Sequence, residues 1–180
     1  MSFFVLLYQL TFFATLLANE QPIMEVCGFK FTEGPLWVEE LGWIFSDIPA
    51  NTVYKIANHE VYLSPSGNSN GLALDKKGNI LLAEHGNRRV SRMYRNGNIE
   101  VVAEKYQGKR FNSPNDLVVR SDGSIFFTDP PYGLPGGLNG PNAELDFCGI
   151  YEVTPKGDVL LVNKNLKKPN GCLLYTSDAA

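Results

Sequence analysis

Four positions in the chain carry oxygen-donor side chains in surroundings that recur: Glu33 in Glu-Gly-Pro, Asn70 in Ser-Asn-Gly, Asn115 in Ser-Pro-Asn-Asp and Asn170 in Pro-Asn-Gly. A carboxylate grouped with carboxamides, without sulfur or imidazole, is the donor chemistry of a hard cation. Ca²⁺ takes about six to eight oxygens, whereas zinc prefers nitrogen and sulfur. Asparagine before Gly or Asp also makes turns unaided, because it tolerates left-handed backbone and bonds to its own chain. Asn70 is read in that second way; Glu33, Asn115 and Asn170 form the candidate metal set.

What could bring such distant residues together is an internal repeat. Asn70-Gly71-Leu72-Ala73-Leu74 and Gly78 match Asn115-Asp116-Leu117-Val118-Val119 and Gly123 at an offset of 45 residues. Ile80-Leu81-Leu82-Ala83-Glu84 falls on Ile125-Phe126-Phe127-Thr128-Asp129 at the same offset, and Trp43-Ile44-Phe45-Ser46-Asp47 precedes the first of these by 37. Each copy adds two β-type runs around a tight polar turn: Val53 to Ile56 with Glu60 to Leu63, Val90 to Tyr94 with Ile99 to Ala103, and Gly149 to Val153 with Val159 to Val162. The turns Asn58-His59, Asn96-Gly97 and Lys156-Gly157 have hairpin chemistry. Four short antiparallel strands in roughly 37 to 55 residues is the period of a β-propeller blade. A β-sandwich also strings short strands together, but does not require the same residues at equivalent places. The expectation is an all-β propeller with about three blades and the start of a fourth. The innermost strands, which face the central channel, would carry Glu33, Asn70, Asn115 and Asn170.

Other polar residues have plainer readings. Asp47, Glu84 and Asp129 occupy equivalent repeat positions, so a shared role in capping the strand end outweighs three separate catalytic roles. His85 follows the second blade's inner strand, where it is a proton-shuttle candidate or, more commonly for such a residue, a packed, hydrogen-bonded loop histidine. His59 is read as a solvated turn residue, and Arg88, Arg89, Arg92 and Arg95 as a charged outer face. The Gly-, Pro- and Asn-rich stretch Gly133 to Phe147 is either a loop over the channel or a plain connector between strands.

From Phe31 to Gly171 the chain resembles the senescence-marker-protein, gluconolactonase and luciferin-regenerating-enzyme family of six-bladed propellers. The carriers are Phe31-Thr32-Glu33-Gly34-Pro35 with Trp37, Ser46-Asp47-Ile48, Ser69-Asn70-Gly71-Leu72, Glu84-His85 with Arg88-Arg89-Val90, Asn112-Ser113-Pro114-Asn115-Asp116-Leu117, and the run Asp122 to Leu134. The resemblance implies one divalent cation, usually calcium, held by Glu33, Asn115 and Asn170 together with an aspartate of a fifth blade, which has no counterpart in these 180 residues. That aspartate is also the implied general acid or base, so no catalytic residue is assigned here. Asn115 is further a substrate-binding candidate, and Arg110 either resembles a substrate-contacting arginine or is a surface cation. The implied activity is metal-dependent hydrolysis of lactones, sugar lactones such as gluconolactone above all. The rivals are a strictosidine-synthase-like propeller, which would leave the oxygen-donor set without a reason, and a non-catalytic binding propeller, which would bind no metal.

Composition limits the partners and the compartment. With 44% hydrophobic and 19% charged residues the chain is globular in character, and its net charge of −3 lacks the basic stripe that nucleic acid requires. Residues 1–18 hold an uncharged apolar run, Phe3 to Leu17, followed by Asn19-Glu20-Gln21; this is expected to be a signal peptide and the protein secreted or lumenal, with no membrane association after cleavage, although a missing basic n-region keeps a membrane anchor as the alternative. Cys27, Cys148 and Cys172 form no CxxC pair; Cys27 and Cys148 are either a disulfide or two buried thiols. Residues 19–171 are then the propeller half. Residues 172–180 break the repeat and resemble translated sequencing adapter, hence a non-native tail.

Overall fold

The computed structural model describes residues 28–171. The leader, the tail, Cys27 and Cys172 lie outside the described residues. Three four-stranded antiparallel sheets follow one another along the chain, each a meander in sequence order. The first contains β1 (Thr32–Val38), β2 (Gly42–Asp47), β3 (Thr52–Lys55) and β4 (Val61–Leu63). The second contains β5 (Ser69–Leu74), β6 (Ile80–Glu84), β7 (Arg89–Met93) and β8 (Ile99–Ala103). A two-stranded hairpin, β9 (Lys105–Tyr106) and β10 (Lys109–Arg110), precedes the third sheet of β11 (Leu117–Val119), β12 (Ile125–Asp129), β13 (Gly149–Val153) and β14 (Val159–Asn163). These sheets are blades of a β-propeller, as the repeat anticipated, and Pro169-Asn170-Gly171 stands where the next blade begins. The hairpin β9–β10 has no counterpart in the repeat and was not anticipated from it.

The predicted hairpin turns form for the reasons their residues suggest. Gly97 takes φ +84° and its N–H donates to the Tyr94 carbonyl at 2.9 Å, closing the β7–β8 turn. A side chain rarely adopts that conformation, and glycine adopts it without steric cost.

Packing between blades explains the unbroken apolar runs. All five residues of β6 are buried. Ile80 and Leu82 point to one side, where with Leu72 and Met93 they meet Val38, Ile44 and Val53 of the first blade. Leu81 and Ala83 point to the other, where with Val90 and Ala103 they meet Phe111, Leu117, Ile125, Phe127, Tyr151 and Val153 of the third. A strand buried on both faces cannot alternate apolar with polar, so the run Ile-Leu-Leu-Ala is what blade stacking demands. Phe111, Phe127 and Tyr151 pack their rings at centroid separations of 5.0 to 5.3 Å within the second core. On the first blade's far face Trp37 and Trp43, cross-strand partners, are half exposed.

Candidate functional site

The innermost strands of the blades, β1 and β5, and the segment leading into β11 lie side by side, and glycine sets their spacing. The Gly71 N–H donates to the Asn115 carbonyl at 2.7 Å, and a Cβ on Gly71 would stand 2.6 Å from Asp116 Oδ1 and 2.8 Å from Asn115 O. Gly34 meets β5 in the same way: a Cβ there would overlap the Asn70 carbonyl oxygen. The β1–β2 ladder is irregular between Glu33 and Leu36, and the β5–β6 ladder between Ser69 and Leu72. Bulges of this kind re-aim side chains at the ends of strands, and both fall on the recurring donor motif.

One cavity of about 210 Å³ results, lined by Glu33, Gly34, Pro35, Asn70, Leu72, Asn115, Asp116 and Asn170. Glu33, Asn115 and Asn170 therefore reach one space although 137 positions separate the first from the last. Asn115 is 2% exposed; its backbone N–H donates to Thr128 O at 2.8 Å, yet its side-chain Oδ1 is buried without a hydrogen-bond partner. An unpaired buried carbonyl oxygen is costly unless something outside the protein satisfies it. The polar side chains that line the cavity are carboxylates and carboxamides, which offer oxygen to a cation. Among the described residues no group of three or more His, Cys, Asp or Glu is gathered. Carboxylate, carboxamides and an orphaned oxygen fit a hard cation.

Asn70 is not the turn residue its Asn-Gly dipeptide suggested. It lies in β5, 5% exposed, with its amide Nδ2 donating to His85 Nε2 across 3.3 Å. His85 is itself buried, and loss of solvent pulls its pKa down to about 4. The packed-histidine reading is the one observed, with the addition that its partner is a lining residue of the cavity. Asp116 is a polar cavity residue given no role from the sequence, and Asn70 is one read there as a turn-former; the internal repeat held the signal, since Asn70 aligns with Asn115.

Arg110 lies apart from this group. It sits on β10, where its Nη2 donates to the Asn87 carbonyl at 2.8 Å and its backbone N–H donates to Glu144 at 2.8 Å.

The capping reading of the repeat acids holds in the first and third blades. Asp47 accepts from the backbone N–H groups of Lys30 and Phe31 at 3.0 and 3.2 Å, and Asp129 from those of Asn112 and Ser113 at 2.8 Å each. Each carboxylate fixes the chain just upstream of an innermost strand, and Asp129 thereby sets the approach to Asn115. Asp129 is fully buried, and desolvation outweighs those bonds, raising its pKa to about 7. In the second blade Glu84 reaches instead to Arg89, Ser91 and Asn87, a longer side chain filling the space beside Gly67.

Of the four arginines read as an outer charged face, Arg88 does not belong there. It is 8% exposed; its guanidinium donates to the carbonyls of Phe111 at 2.6 Å, Asn142 at 2.8 Å and Arg110 at 3.4 Å. Arg88 thus ties the β12–β13 connection to the start of the third blade. That connection is further pinned by the Gly133 N–H, which donates to Ser113 Oγ at 2.9 Å, and by buried Leu134 and Leu145. Cys148, at its end, is a buried free thiol whose pKa burial raises.

With this geometry in hand, comparison with known proteins is decisive about family. The model of the SMP-30/Gluconolactonase/LRE-like region matches residues 31–179. The chain belongs to the SMP-30/gluconolactonase/LRE-like family. A gluconolactonase of Zymomonas mobilis is 35% identical over 163 residues, covering 81% of this chain and 46% of that relative. The X-ray structure of a candidate gluconolactonase superposes with a TM-score of 0.78 at 33% identity, covering 86% of this chain and 56% of the other. A calcium-binding protein, regucalcin from Agrobacterium tumefaciens, shares the fold at 18% identity and a TM-score of 0.56, over 80% of this chain and 46% of that one. The chain spans about half the length of these family relatives.

Proposed function

We propose that the protein is a metal-dependent lactone hydrolase, with sugar lactones such as gluconolactone as its substrate class, and that Glu33, Asn115 and Asn170 hold the metal, calcium. The observation that carries this reading is the meeting of those three residues in the lining of one cavity, one of them, Asn115, with a buried and unpartnered Oδ1. The relatives' gluconolactonase activity and the calcium binding of the regucalcin that shares the fold support it.

A divalent cation in such a site supplies Lewis acidity, stabilising the oxyanion that develops when water adds to an ester carbonyl. The chain's own contribution is placement. Glu33 offers the carboxylate from the bulged start of β1, Asn115 a carbonyl oxygen fixed by its backbone bonds, and Asn170 a more exposed carboxamide at the rim. Carboxylate and carboxamide oxygens favour a hard cation over a soft one. In the hydrolysis the acyl C–O bond of the lactone ring breaks, water's oxygen becomes part of the new carboxylate, and the ring oxygen departs as an alkoxide that takes up a proton to become the hydroxyl. The base that takes water's proton is expected to be the fifth-blade aspartate implied by the family, and no residue of this chain is assigned that step. The uncharged apolar leader supports a secreted or lumenal location.

The test is pH-stat hydrolysis of glucono-δ-lactone by the full-length protein before and after chelation. The reading expects activity lost to the chelator and restored by added Ca²⁺. Intact, folded protein without lactonase activity under Ca²⁺ would move the assignment to a binding propeller.

A further inference from the structure

Asn70 and His85 form a buried pair whose geometry has a direction. Asn70 lines the cavity together with Glu33 and Asn115, and its backbone carbonyl is pressed against Gly34 of the neighbouring strand. His85 is buried; its backbone N–H donates to the Asn68 carbonyl at 3.2 Å, and the chain at Gly133 passes so close that a Cβ there would stand 3.1 Å from the His85 Cβ. A carboxamide has one donating and one accepting end. With Nδ2 facing His85 Nε2 at 3.3 Å, the pairing requires the Nδ1–H tautomer of the imidazole, and the end of the carboxamide left for the cavity is the carbonyl oxygen. Reversed, the same amide would present N–H groups to the space that three other oxygen donors share.

We infer that His85 is a positioning residue that fixes the Asn70 carboxamide with Oδ1 toward the cavity, making Asn70 a fourth oxygen donor of the site. This rests on the cation reading proposed above. Partners behind a metal ligand orient it, and their loss costs about 10- to 100-fold in metal affinity.

The experiment is a double-mutant cycle on the full-length protein, with Ca²⁺ affinity measured by calorimetry and the fold of each variant checked by thermal melting. His85→Leu and Asn70→Ala are each expected to weaken Ca²⁺ binding by about tenfold or more. The double variant should bind within about twofold of Asn70→Ala alone, because His85 acts only through Asn70. His85→Gln, whose Oε1 accepts from the same amide, should recover most of the loss. Independent additive losses, or wild-type affinity in His85→Leu, would overturn the inference. Nitrogen NMR of His85 in metal-free protein gives a second readout: an unprotonated Nε2 at neutral pH is expected, and a protonated one contradicts the geometry. A wild-type protein that binds no Ca²⁺ contradicts the cation reading itself, a result distinct from additivity in a protein that binds.

Discussion

The Gly71 N–H and the Asn115 carbonyl, 2.7 Å apart, form the seam between the second and third blades, and the candidate site is built along it. Because Asp116 Oδ1 would stand 2.6 Å from any Cβ at position 71, the seam closes only over glycine. Gly71→Ala is expected to destabilise the protein by about 1–3 kcal/mol, the usual cost of forcing extra volume into packed structure. A drop in the urea midpoint at unchanged slope would register it; an unchanged midpoint would mean that the blades are not seated this closely.

Asp129 predicts a pH dependence with a definite sign. Its pKa is raised from 3.8 in the unfolded chain to about 7 in the folded one, so the folded state binds the proton more tightly. Its contribution is fully present below about pH 4 and is lost as pH rises through about 7. Asp129→Asn, which cannot accept from both Asn112 and Ser113, should cost about 1–3 kcal/mol. The gap between wild type and variant should be wider near pH 5 than at pH 8 in parallel denaturant titrations. A gap that widens toward pH 8 would contradict the assignment.

Much of this was legible in the sequence, because a propeller writes its geometry as repetition. The 45-residue offset that aligns Asn70 with Asn115 also aligns β6 with β12, and both strands form over the residues the repeat marked. The convergence of Glu33, Asn115 and Asn170 on one cavity was legible because the start of each repeat must face the axis. What escaped was set by tertiary surroundings. Asn70-Gly71 looks like a turn, and only the neighbouring strand shows why the glycine is needed there. Arg88 stands among three other arginines in a stretch that reads as surface, and its burial depends on carbonyls 22 to 54 residues away. The β9–β10 hairpin interrupts the repeat, so the repeat gave no warning of it.

Arg88 supplies a third prediction. Its planar guanidinium reaches the carbonyls of Phe111, Asn142 and Arg110 at once, which a lysine ammonium cannot reproduce. Arg88→Lys should lower stability by about 1–3 kcal/mol by leaving buried acceptors unpaired. It should also speed proteolytic cutting between residues 133 and 147 under native conditions. Wild-type resistance in that segment would show that its other anchors suffice.

The most direct measurement is Ca²⁺ titration by calorimetry of the full-length protein beside folded Glu33→Ala and Asn115→Ala variants. The account predicts one Ca²⁺ per chain for wild type and at least about tenfold weaker binding in both variants, since on this proposal each removes an oxygen donor to the cation. Wild-type affinity in either variant, or no binding by the intact protein, would contradict it.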